Sequence, residues 1–121
     1  MKIDLDSVPS TIKNAVDHIV GSLCDEDREF IKSDMPAGCH HSAGQYVRNS
    51  WSLWELDSPI KRDAVNTYGI AHADDISGLI FEWVWAIVNQ RDFDPIEHCK
   101  RYHDHWQKYG TTSLVAGGWK C

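Results

Sequence analysis

The chain has 121 residues, 42% of them hydrophobic and six of them Trp, enough for a single domain that buries about two-thirds of its unfolded surface without a metal or disulfide. A formal net charge of −6 argues against a general duplex-binding role, because phosphate contacts require clustered Lys and Arg. No apolar run approaches the roughly 18 residues of a membrane span, and residues 1–10 lack the apolar core of an export signal, so a cytoplasmic location with no membrane partner is expected.

Val8-Pro9-Ser10-Thr11 followed by "IKNAVDHIVGSL" reads as a capped amphipathic first helix, with Ile12, Val16, Ile19, Val20 and Leu23 at helical spacing. "CDEDREFIKSDM" opens with acids suited to a helix N-terminus and carries Phe30 and Ile31 as a short apolar face, which predicts a second helix. Pro36 and Gly38 interrupt the pattern. It resumes over about 39–56, where Ala43, Val47, Trp51 and Trp54 recur at threes and fours, as a third helix. Asp57-Ser58-Pro59 starts a fourth helix, "IKRDAVNTYG", closed by Gly69. The fifth, from about Asp75 to Asn89, is apolar nearly all round and belongs at the centre of a bundle. Asp94-Pro95 opens a sixth helix ending at Gly110, with Cys99, Tyr102, Trp106 and Tyr109 toward the core and its His residues outside. Residues 111–121 show no periodicity and read as a flexible or docking tail, with Trp119 as an exposed anchor. The expected architecture is all-α: one compact domain over 1–110, with five to six helices around the central apolar one, followed by the tail.

Acids are unevenly placed: residues 1–34 carry eight against four bases, and residues 71–94 carry five against one. An acidic face built around Asp25, Glu26, Asp27 and Glu29 suits docking on a basic protein surface. The other concentration of chemistry is "AHADDIS", which stands directly before the central helix. Asp74 or Asp75 is suited to cap that helix and to offset its dipole. The second acid, with His72, is in a position to reach Arg48 on the third helix, where His41, Gly44, Arg48, Trp51 and Glu55 share a stripe.

Two readings of this network stay open. It is either a satisfied polar joint between core helices, or a pocket in which Arg48, Asn49, His41 and His72 hold a small anionic ligand while Trp51 or Trp54 stacks on it. His72, Asp74 and Asp75 also suit a hard metal or acid–base chemistry, without a diagnostic spacing. Cys99 and His103, at i and i+4, are the weaker metal candidates; Cys39, His40 or Cys121 would have to complete that site. The four Cys show no CxxC and are expected to be reduced. Phosphate-loop, dinucleotide, serine-elbow and EF-hand patterns are all missing, and the sequence calls for no cofactor.

The run "HHSAGQYVRNSWSLWELDSPI", with "GIAHADDISGLI" after it, resembles a domain family of unknown function found in small phage, prophage and bacterial proteins. The pattern falls on His41, Gly44, Arg48, Asn49, Trp51, Leu53, Trp54, Gly69, His72, Asp74, Asp75 and Ser77, within about residues 8–90, and the segment after Asp92 lies outside it. The resemblance implies no reaction. It implies compact cytoplasmic accessory proteins in a phage setting, where short acidic proteins inhibit or sequester host machinery, nuclease-based defences included. The leading expectation is therefore a non-enzymatic protein that inhibits or sequesters a host protein or complex through its acidic surfaces, a defence (anti-CRISPR-like) target being one case. The alternatives are a nucleotide- or phosphate-binding protein and a metal-dependent enzyme.

Overall fold

A computed structural model describes residues 8–34, 43–51, 53 and 58–118. It is all-helical among those residues. Helix α1 (Ile12–Gly21) starts where Thr11, in extended conformation, accepts the Asn14 amide at 3.0 Å. A second open amide, that of Ile12, donates to Asp63 at 2.8 Å, so the start of α1 is tied to a distant helix. Its inward stripe of Ile12, Ala15, Val16 and Ile19 is fully buried, each large apolar side chain contributing about 1.5–3 kcal/mol.

Helix α2 (Asp25–Asp34) carries Asp25, Glu26 and Asp27 in its first turn, where the positive end of the dipole favours them. Ile31 is its buried side chain among those described. Helix α3 (Ala43–Ser50) buries Val47 and Arg48, and Trp51 and Leu53 continue inward beyond its end. The helix stops at Ser50, short of the expected end near 56, with Trp51 and Leu53 already in a turn; 39–42, 52 and 54–56 lie outside the described residues.

Helix α4 (Pro59–Asp63) begins as the Ser-Pro pair predicts. Ser58 accepts the Lys61 amide at 3.2 Å, and Pro59 occupies the first turn, where no amide is needed. It is not a plain α-helix to its end. Ala64–Tyr68 widen into a π-helical turn before Gly69, at φ +70°, stops the chain. A side chain at Gly69 would be disfavoured twice, by that left-handed backbone and by the His103 ring, 3.2 Å from where a Cβ would stand.

Helix α5 (Ala73–Val88) is buried at Ile76, Leu79, Ile80, Phe81, Val84 and Val88, positions spread round its circumference. It packs against α1, α2, α3 and α6 and is therefore the central element, as its nearly uniform apolarity predicts. The last of these, α6 (Pro95–Gln107), is capped by Asp94, whose carboxylate accepts the Ile96 and Glu97 amides at 3.1 Å each. It ends before the expected Gly110. The Tyr109 and Gly110 amides close tighter turns on Trp106 and Gln107, and Gly110 at φ +73° redirects the chain. Tyr109 is consequently 71% exposed rather than in the core. His98 and His103, expected on the outer face, are instead half-buried. Helix α7 (Ser113–Ala116), capped by Thr112, lies against α6. No helix among the described residues is long and apolar enough to cross a membrane.

Candidate functional site

The charged residues at the start of α5 are taken up differently from the sequence expectation. His72, not an aspartate, caps the helix: its ring Nδ1 accepts the Asp74 amide at 3.1 Å. Its Nδ1 acts there as an acceptor rather than a donor. Neither aspartate is left to cap, because each side chain is drawn to a different helix.

Asp74 is drawn to α3. Its Oδ1 lies 3.5 Å from Arg48 Nε, and its own main-chain carbonyl accepts from Ser77 Oγ at 3.1 Å. Ser77 Oγ in turn accepts from Arg48 Nη1 at 3.0 Å, so one hydroxyl relays between the guanidinium and the helix backbone. Arg48 is 6% exposed and Ser77 2%. A cation so far from water requires such partners, since an unpaired buried charge costs several kcal/mol.

Asp75 is drawn to α6 rather than to Arg48. Trp106 Nε1 donates to its Oδ2 at 2.8 Å, and the Trp106 ring lies against His72 at 5.3 Å between centroids. Burial raises the Asp75 carboxyl above its ordinary value; the Trp106 bond and the neighbouring His72 and His105 oppose that rise. Burial, reinforced by the Asp75 charge, also pushes the Cys99 thiol up to about 12. Cys99 thus remains protonated and packs as a core side chain. His103, one turn on, pairs with Ser113 Oγ at 3.2 Å. Cys99 is wholly buried while His103 turns to Ser113, and the residues expected to complete that metal site lie outside the described residues.

The remaining expected residues divide. Asn49 faces outward, away from buried Arg48. Trp51, expected as a stacking surface, is wholly buried, edge-on to His18 at 6.1 Å, and its indole Nε1 has no hydrogen-bond partner. His41, Trp54, Glu55, Cys39, His40, Cys121 and Trp119 lie outside the described residues; Cys24 and Cys99 are free thiols. On α2, Asp25, Glu26 and Glu29 are exposed. Asp27 is half-buried and accepts the Cys24 amide at 3.2 Å; the Cys24 side chain first, and that amide second, lower its carboxyl below the usual value.

Lys61 is the residue sequence reasoning missed. It is 1% exposed, and its ammonium donates to the Gly117 carbonyl at 3.1 Å. Burial pushes its pKa down. Its place three residues before Ala64, on the buried side of the helix, was the available signal. The model of a family described as a domain of unknown function (DUF6794) matches residues 8–87. No curated protein and no solved structure matches the chain.

Proposed function

We propose that this chain, which belongs to the DUF6794 family of unknown function, is a non-enzymatic binding protein that docks an acidic helical face on a basic protein partner. The observation that carries the reading is α2. Asp25, Glu26 and Glu29 are exposed there around Phe30, itself 48% exposed, one helical turn from Glu26. An exposed aromatic flanked by acidic side chains, with Lys32 paired to Glu29 at 3.3 Å beside them, suits a protein interface, the ring supplying affinity and the acids supplying orientation and encounter rate. Arg48 supports the same choice, because its guanidinium is turned inward onto Ser77 and Asp74.

The setting we propose is that of a phage- or prophage-type accessory protein in the cytoplasm, which inhibits or sequesters a host factor, a defence complex being one such target. Its support is the resemblance to small phage proteins and the acidic balance of the chain. The test uses Glu26→Lys/Glu29→Lys, which reverses two rim charges and leaves Asp27 on the Cys24 amide. From a bacterial host lysate, the parent chain should retain a basic protein that elutes as salt rises, and the double variant should lose it at unchanged helicity and Tm. An identical set of retained proteins for both chains would sink the acidic-face reading.

A further inference from the structure

Several anchors of residues 95–118 land on one face, the corner between α4 and the first turns of α5. Trp106 donates to Asp75, and the His103 ring covers Gly69. A Cβ on Gly78 would stand 2.8 Å from the Tyr102 hydroxyl. Gly117 is pressed so close to the Ala71–His72 backbone that a Cβ there would lie 2.3 Å from the Ala71 carbonyl carbon, and its own carbonyl receives Lys61. The covered face, residues 61–78, lies inside the family match; the covering segment, 95–118, lies beyond it.

Apolar burial in the segment is narrow: Cys99 joins the core cluster and Tyr102 packs against it. Among residues 95–118, Cys99 and Ser113 alone are buried, while Ile96 and Val115 are 59% and 64% exposed. Few buried apolar contacts mean a low free energy of local opening. The connection to α5 is also strained: Gln90 sits at φ +55°, in the left-handed region that a residue with a Cβ enters at a cost, and residues 90–92 are exposed.

We propose that residues 95–118 form a detachable arm, and that the face beneath it accepts the same arm from a second copy of the chain, giving an arm-exchanged dimer. The second copy is the occupant whose chemistry already fits. It brings an indole N–H to Asp75 and a carbonyl to Lys61, two groups 7% and 1% exposed that an occupant lacking those atoms would leave buried without partners. Opening also lets Gln90 leave its left-handed conformation. The exchange does not involve α2, so it stands apart from the acidic-face reading.

Light scattering after size exclusion, on full-length chain taken through mild urea and back at increasing concentration, tests the proposal. A dimer should accumulate with concentration. Gln90→Pro, which cannot adopt a positive φ and lacks the amide that bonds Ile87, should raise the dimer fraction several-fold; Gln90→Gly, at ease at φ +55°, should lower it. In a dimer mixed from two isotope-labelled batches, contacts between the Tyr102 ring and Gly78 should run between copies. A parent chain that stays monomeric throughout overturns the proposal, as does a dimer whose Tyr102–Gly78 contacts are all within one copy. A dimer fraction that Gln90→Gly leaves unchanged also counts against it, whether or not Gln90→Pro folds.

Discussion

Asp75 shows how one buried carboxylate couples packing to pH. Because burial holds its folded-state pKa above the ordinary 3.8, the native protein binds its proton more readily than the unfolded chain does. Its contribution to stability therefore falls as pH rises from the unfolded value through the raised folded one, and its charge is a cost at neutral pH. Asp75→Asn removes that charge while its side-chain oxygen still accepts the Trp106 N–H. The expected result is a Tm higher than the parent's by a few degrees at pH 7, with the difference shrinking as pH falls toward 4, followed by thermal melts across that range. Lys61 has the opposite sign: its lowered pKa means that its contribution rises as pH climbs through the folded value toward 10.5. Such residue-level effects were only partly legible in the sequence. The charges at 48, 74 and 75 announce a network, but which acid meets which partner depends on Trp106, which is 31 residues from Asp75 and on another helix.

At the scale of elements, the starts of helices were the most readable feature. Thr11, Ser58 and Asp94 stand where the sequence places helix starts, and each accepts an open amide of the first turn. Asp94 serves two amides at once, so Asp94→Ala should cost about 1 kcal/mol in urea unfolding. Hydrogen exchange should show the loss concentrated in the first turn of α6 and absent from α1. Where local chemistry offered several caps, it misled. His72, Asp74 and Asp75 all qualify at the start of α5, and the imidazole takes the position because both carboxylates have stronger partners elsewhere. The π-helical turn of Ala64–Tyr68 and the early end of α6 were not legible, and no feature of their local sequence distinguishes them from ordinary helix.

For the whole molecule, α5 is the element on which the others depend. It meets four helices, and its Leu79 is wholly buried. Leu79→Ala should cost about 2–5 kcal/mol, read from urea unfolding followed by far-UV circular dichroism. The same centrality separates the two surfaces on which the proposals rest. The acids of α2 look outward from one helix packed on α5, while the arm of α6 and α7 closes over the start of α5. The proposed binding face and the proposed arm are thus carried by different neighbours of α5.

By itself, the sequence determined the helical class, the central place of the apolar helix and the capped starts of three others. Each of these follows from interactions within a turn or two of the chain, where periodicity and side-chain type suffice. Only the tertiary structure decided that Arg48 faces inward, that Lys61 is buried beneath Gly117, and that Trp106 rather than Arg48 receives Asp75. Those outcomes depend on which groups distant segments bring within about 3 Å of one another, and hydrogen-bond partners at that range are chosen by packing, which no local pattern encodes.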